Sequence, residues 1–256
     1  MKIAVITGAS SGLGREFARQ IPKLYKSLDE IWVFARRTER LKELEKELLV
    51  PVRIFDSDLK RDYVYEKLEK ILERENPDIR MLVNAAGCGK TGRLEKLSLE
   101  GQIDMIDVNI RALTRMTCLC LPYLHKGSRV IQIASAAAFA PQPGFAVYAA
   151  SKSYVYSLSL ALSCELEERG ISVTAVCPGP VDTEFFVRAG GVSGSMKASL
   201  LKDAGAVVRQ ALLDSVKRKR VSVCGYEMKA ARAAAKLLPL SMISRLMKKI
   251  NEKGDY

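Results

Sequence analysis

A chain of 256 residues, 48% hydrophobic and 27% charged, has room for one large domain or two small ones, and its ordinary globular composition excludes a disordered chain, a collagen-like chain and a small disulfide scaffold. Lys and Arg number 41 against 29 Asp and Glu, leaving a net charge of +12. That excess favours polyanions: a phosphate-bearing ligand, an anionic membrane surface or nucleic acid.

The pattern along the chain is strand, turn, helix, repeated. Lys2 to Thr7 is an apolar run that feeds Gly8. Ile31 to Phe34 precedes Arg36 and Arg37, and Thr38 to Leu49 is a helical stretch dense in Glu, Lys and Leu. Val52 to Phe55 ends at Asp56-Ser57-Asp58, and Tyr63 to Arg74 repeats apolar residues at helical spacing. Met81 to Val83 ends at Asn84-Ala85-Ala86-Gly87, Val130 to Ile133 at Ala134-Ser135, and Ser172 to Val176 at Cys177-Pro178-Gly179. Two longer helical stretches, Ser98 to Leu124 and Val147 to Arg169, lie between them, and Val221 to Val223 is a weak seventh strand. The runs are continuous rather than alternating, so both faces of each strand are expected to be covered. Strands alternating with helices imply parallel pairing through right-handed crossovers, that is, a doubly wound α/β sheet with helices on both faces and one domain over residues 1–256.

The six cysteines show no C-x-x-C pair and no metal-like spacing, so they read as buried reduced thiols of a cytoplasmic protein, with no metal site. The one histidine, His125, reads as a surface residue where a helix ends. Met1-Lys2 leads straight into the first strand with no signal core, and the charge-free stretch Val130 to Ser151 carries Pro141 and Pro143, which argue against a membrane span. From Leu200 onward there are 13 Lys and Arg against 5 Asp and Glu. This tail reads as a solvated basic helix; it leaves open contact with a membrane surface, while nucleic acid is not expected as a partner.

The first chemical signal is Thr7-Gly8-Ala9-Ser10-Ser11-Gly12-Leu13-Gly14, set between a strand and a helix. Gly8 permits a tight turn, Gly12 a close approach of backbone to a pyrophosphate, and Gly14 close packing of helix on sheet, while the helix N-terminus offers N–H groups to phosphate. At the end of the second strand a carboxylate would select NAD; this chain has Ala35-Arg36-Arg37 there, and guanidinium groups suit a 2′-phosphate, which points to NADP(H). The second signal is Tyr148 with Lys152 one helical turn on and Ser135 just past a strand. A nearby ammonium, together with an oxidised nicotinamide, is expected to lower the phenol's pKa into the range of a useful acid/base.

With those motifs in order, the sequence resembles a short-chain dehydrogenase/reductase of the single-domain type of about 250 residues. The matching residues are Thr7 to Gly14, Asn84 to Gly87, Asn109, Ser135, Tyr148 with Lys152, and Pro178 to Thr183. Ala85 departs from the second asparagine often seen in that turn. The resemblance implies a Rossmann fold and catalytic residues Asn109, Ser135, Tyr148 and Lys152: Tyr148 exchanging a proton with the substrate oxygen, Ser135 hydrogen-bonding that oxygen, Lys152 holding the nicotinamide ribose, and Asn109 positioning a water that relays protons through Lys152. It implies cofactor contacts from Gly8, Ser10, Ser11, Gly12, Leu13, Gly14, Arg36, Arg37, Asp58, Leu59, Asn84, Ala85, Gly87, Tyr148, Lys152, Pro178, Gly179, Val181 and Thr183.

The substrate signal is thinner. Residues 184–201 stand where such proteins carry a lid, and Phe139, Gln142, Phe145 and Phe186 are candidates, with Ser135 and Tyr148, to line an apolar pocket. The tail, about 226–253, lacks the glycine-rich ending usual in reductases of acyl-carrier-protein substrates. The expectation is therefore reduction or oxidation of a bulky apolar carbonyl such as a ketosteroid or hydroxysteroid, with a 3-oxoacyl reductase or general carbonyl reductase as alternatives. A catalytically silent NADP-binding regulator and a peripheral membrane or nucleic-acid binder stand as readings of another class. The two long helices are expected to form a homodimer or homotetramer interface.

Overall fold

The structure is a computed structural model, and it describes residues 1–185, residue 189 and residues 201–252. Seven parallel strands, β1 (Lys2–Thr7), β2 (Glu30–Ala35), β3 (Val52–Asp56), β4 (Asp78–Asn84), β5 (Leu124–Ile133), β6 (Ser172–Val176) and β7 (Val221–Ser222), form one sheet in the order β3-β2-β1-β4-β5-β6-β7. The order reverses between β1 and β4, where the carboxyl ends of the strands open a crevice.

The apolar runs are continuous because successive residues of a strand face opposite sides, and both sides are covered. Ile3, Val5, Trp32 and Phe34 point into one buried cluster, closed by α3 (Asp62–Glu75) through Leu68 and Leu72 and by α5 (Leu113–Cys120) through Met116. Ala4, Ile6, Ile31 and Val33 point into the other, closed by α1 (Gly12–Leu24) through Phe17 and Ile21, α2 (Thr38–Glu47) through Leu41 and Leu44, and α7 (Ala204–Val216) through Val208 and Leu212.

The stretch expected as one helix from Ser98 to Leu124 is instead α4 (Leu99–Ile106), a π-helical segment (Asp107–Ala112) and α5. Pro122 then sits in a short 3-10 turn, and β5 starts at Leu124. His125 is thus an exposed strand residue rather than the end of a helix. Helix α6 spans Ala146–Glu165. Two tail helices, α8 (Tyr226–Leu237) and α9 (Leu240–Glu252), flank Pro239. No helix among the described residues is long and apolar enough to cross a membrane. Of the thiols expected to be buried, Cys120 and Cys177 are, whereas Cys118 and Cys164 are exposed.

Candidate active site

The glycine turn is tight for steric reasons that can be read atom by atom. Gly8 and Gly12 have φ of +70° and +53°. A Cβ on Gly14 would stand 2.4 Å from the Gly8 carbonyl oxygen, and one on Gly8 2.7 Å from the Ala86 nitrogen. The Thr7 hydroxyl accepts from the Ala85 and Ala86 N–H groups at 3.1 Å each, pinning the end of β4 beside the turn. Among the described residues no side chain caps α1. The N-cap Ser11 hydroxyl accepts from Arg37 instead, which leaves the first turn's N–H groups to an anion. The turn closes this tightly on Ala85, Ala86 and its own backbone only because Gly8 and Gly14 carry no side chain, and the uncapped N–H groups of α1 it presents fit a dinucleotide pyrophosphate.

Arg37 is the organised arginine of the expected pair. Its guanidinium donates to Ser10 Oγ at 3.1 Å, Ser11 Oγ at 2.7 Å and Glu184 Oε2 at 2.7 Å. Arg40, three residues on in the first turn of α2, donates to the other Glu184 oxygen. Those hydrogen bonds, Arg40's first and Arg37's second, hold the Glu184 carboxyl down at about 2. Arg36 is exposed. At the adenine side Asp58 Oδ1 accepts from the Lys60 N–H at 3.1 Å, and buried Leu59 gives its carbonyl to the Tyr65 hydroxyl.

The Asn84 side chain is buried and donates to Thr117 Oγ1 on α5 at 3.0 Å, so it braces the end of β4 against α5 from below the crevice. Alternation along β4 forces this: Leu82, two residues earlier, packs into the cluster that Met116 of α5 closes, Val83 faces the other way, and Asn84 returns to the α5 side. Ala85 and Gly87 stay at the crevice, where a Cβ on Gly87 would meet Asn109 Oδ1 at 3.2 Å and Lys152 Nζ at 3.3 Å.

Tyr148 and Lys152 share the inner face of α6, 6% and 4% exposed. Lys152 Nζ lies 5.8 Å from the Tyr148 ring centre and donates to the Ile133 carbonyl at 2.8 Å, which ties α6 to the end of β5. Ser135 follows that strand end in extended conformation and caps the 3-10 turn Ala136–Phe139, its Oγ accepting from Ala137 N–H at 3.1 Å. Burial pushes the Tyr148 phenol up to about 12, a hydrogen bond with Ser135 pulling the other way. Burial likewise pushes the Lys152 ammonium down to about 8. Among the protein's own groups burial outweighs the Ser135 hydrogen bond, and the phenol stays protonated at neutral pH.

Asn109 is fully buried in the π-helical segment. Its amide donates to the Cys88 carbonyl and to Ser151 Oγ, and accepts from the Cys88 N–H, all at 2.9 Å. Both amide hydrogens are used, so the side chain cross-braces the β4 loop to α6. The wider π turn sets this residue apart from the α-helical repeat.

Two aromatic rings lie against the phenol. Phe145 stacks on Tyr148 at 4.1 Å between ring centres, and Phe185 lies tilted at 5.5 Å. A Cβ on Gly89 would stand 2.8 Å from Phe185, 3.1 Å from Tyr148 and 3.2 Å from Phe145. Gln142 accepts through its carbonyl from the Phe145 N–H at 2.9 Å. Phe139 packs edge-on against Tyr156. Phe186 lies outside the described residues, as does most of the expected lid. The segment after β6 crosses back over the glycine turn: a Cβ on Gly12 would meet Thr183 Cγ2 at 3.3 Å, Val181 is buried, and the Pro178 carbonyl accepts from Ala136 N–H at 2.8 Å. Met228 of α8 fills the notch over Gly179, where a Cβ would come within 2.7 Å of its sulfur.

The structure thus gathers the glycine turn, Ala85, Gly87, Ser135, Tyr148, Lys152 and Thr183 around one crevice. Sequence reasoning missed Arg40, Glu184, Phe185, Gly89 and the pinning hydroxyl of Thr7. Arg40 carried a readable signal, one helical turn from Arg37; the contacts of Glu184 bridge 144 and 147 residues and left none.

A doubly wound sheet with a glycine turn at its reversal and a buried Tyr–Lys pair beside it defines a nucleotide-dependent oxidoreductase architecture. The model of the short chain dehydrogenase family matches residues 2–190, and the chain belongs to that family, whose members act on alcohol or carbonyl groups. Sulfoacetaldehyde reductase 2 of Chromohalobacter salexigens is 37% identical over 198 residues, 74% of this chain and 77% of that one. An uncharacterized oxidoreductase of Staphylococcus epidermidis is 33% identical over 185 residues, 71% of this chain and 79% of that one. Among solved structures, a short-chain dehydrogenase from Sphingobium yanoikuyae in complex with NADPH superposes with a TM-score of 0.79 at 29% identity, covering 95% of this chain and 96% of that one.

Proposed function

We propose that this chain is an NADP(H)-dependent oxidoreductase, one domain over residues 1–256, that interconverts a secondary alcohol and a ketone. The observation that carries the reading is the adjacency of the buried Tyr148–Lys152 pair to the glycine turn, through Gly87, with two arginines at the far end of the same crevice.

NADP(H) supplies the hydride; the protein supplies position and charge. Arg37, with Ser10 and Ser11, holds the 2′-phosphate, and Arg40 and Arg36 add positive charge there. Gly12, Leu13 and Gly14 present backbone to the pyrophosphate, Asp58 and Leu59 flank the adenine, and Pro178, Gly179, Val181 and Thr183 hold the nicotinamide end. At neutral pH Tyr148 is a phenol and Lys152 an ammonium, which is the protonation state for reduction: the phenol donates its proton to the carbonyl oxygen while Ser135 hydrogen-bonds the same atom. The ammonium beside the ring then stabilises the phenolate left behind. Asn109 keeps the β4 loop and α6 in register for this transfer.

The rings of Phe145 and Phe185 favour a bulky apolar carbonyl, such as a ketosteroid or hydroxysteroid, over a 3-oxoacyl thioester or a general carbonyl substrate. A second reading is a small polar aldehyde, favoured by the name of the Chromohalobacter relative. A homodimer or homotetramer in the cytoplasm completes the proposal; the complete Asn109–Ser135–Tyr148–Lys152 set speaks against a silent regulator. Oxidation of NADPH and of NADH against steroids, bile-acid ketones, acyl thioesters, sugars and short aldehydes tests all of this together. Turnover is expected with NADPH and an apolar ketone. Binding of NADPH without turnover of any carbonyl would sink the enzyme reading.

A further inference from the structure

Resting on the NADP(H) reading, we infer that Glu184 is a cofactor-specificity residue: an internal anion that occupies the 2′-phosphate cradle and must leave Arg37 or Arg40 before a 2′-phosphorylated dinucleotide can bind. The carboxylate bridges two guanidinium groups, Oε2 to Arg37 Nη1 at 2.7 Å and Oε1 to Arg40 Nη1. A tetrahedral phosphate held by the same two arginines would use these same donors, because a guanidinium presents its N–H groups in a fixed fork. Arg37 cannot turn aside to serve both anions, since its other nitrogens are taken by Ser10 Oγ and Ser11 Oγ at 2.7–3.3 Å.

The position of Glu184 is set by the chain before it. Thr183 lies against Gly12, so the backbone enters Glu184 directly over the glycine turn and aims its side chain across to α2. The three side chains are only 28–39% exposed, so water screens the contact in part and not in full. A cofactor without the 2′-phosphate, such as NADH, has no need of these donors and leaves the carboxylate in place. Glu184 therefore lowers the discrimination that the arginines alone would give.

The test is equilibrium binding, independent of turnover. Glu184→Gln keeps the shape and removes the charge; Glu184→Ala removes both. Each is titrated with NADPH, NADH, adenosine 2′,5′-bisphosphate and 5′-AMP, beside wild type and Arg37→Ala. Both Glu184 variants are expected to bind NADPH and the bisphosphate about five- to tenfold tighter, the worth of a partly screened charge pair plus the relief of anion–anion repulsion, with NADH and 5′-AMP unchanged. If wild type prefers NADPH, Arg37→Ala abolishes the preference, and the Glu184 variants bind NADPH no tighter or more weakly, the inference is overturned while the NADP(H) reading stands. If wild type and both Glu184 variants alike bind NADPH no better than NADH, both fall.

Discussion

The two ends of the crevice use charge in opposite ways. Around Arg37, Arg40 and Glu184 the charged groups are part-exposed, mutually paired and held by hydrogen bonds, and those bonds drive the carboxyl down to about 2. Around Tyr148 and Lys152 the groups are buried, and loss of water sets their protonation: the phenol rises to about 12 and the ammonium falls to about 8. The first end is therefore adjustable by salt, by substitution of one partner and by a competing anion. The second responds to changes in burial and to what is placed directly upon it. Recognition and chemistry sit about one crevice apart, on different electrostatic footings.

The sharpest way to break this contrast is Tyr148→Phe. It keeps ring stacking against Phe145 and removes only the transferable proton. Turnover is expected to drop by ~10³-fold, within the range of general acid catalysis, while the NADPH dissociation constant stays within about twofold. A comparable loss of binding would show that the two ends are not separable. Next comes Arg37→Ala, which removes charged hydrogen bonds at the opposite end. NADPH binding should weaken by roughly 10- to 100-fold with NADH unaffected, as read by fluorescence titration.

A third prediction turns on proton linkage. The Lys152 ammonium loses its proton near pH 8 in the folded chain, against an ordinary value of 10.5. Between those values the unfolded chain holds the additional proton, so this group makes the wild-type chain more stable as pH rises through that window, by on the order of 3 kcal/mol. Lys152→Met, which has no group to titrate, should show its largest stability advantage over wild type below pH 8 and lose it towards pH 10.5. Tyr148 is present in both proteins and cancels. Denaturant melts of the pair across this range check it, and a gap that does not move with pH would contradict the burial argument. The smallest effect is ionic: raising salt from about 50 to 500 mM should weaken NADPH a few-fold more than NADH, because only the part-exposed arginine end is screened.

What could be read from the sequence follows from what each feature demands. Gly8 and Gly14 are legible because no other residue fits against Ala86 and the Gly8 carbonyl. Tyr148 and Lys152 are legible because one helical turn fixes their common face. The continuous strands announce the two-sided sheet. The π-helical turn around Asn109 carries no periodic signature, so it reads as plain helix, whereas the break before β5 is marked in the sequence by Pro122. The side on which Asn84 falls depends on strand register, which neighbours such as Thr117 settle. The phenol's raised pKa also escapes a reading by motif, since spacing shows that an ammonium is near but not how much water has left.

Met228 carries one more consequence. The matched family segment ends at residue 190, yet the sulfur resting on Gly179 comes from beyond it. Asn251 ties the last helix to the Pro143 carbonyl, two residues from the stacked Phe145, at 2.8 Å. Residues that lie past the matched segment therefore reach back to both walls of the crevice, to Gly179 on one side and to the turn before Phe145 on the other.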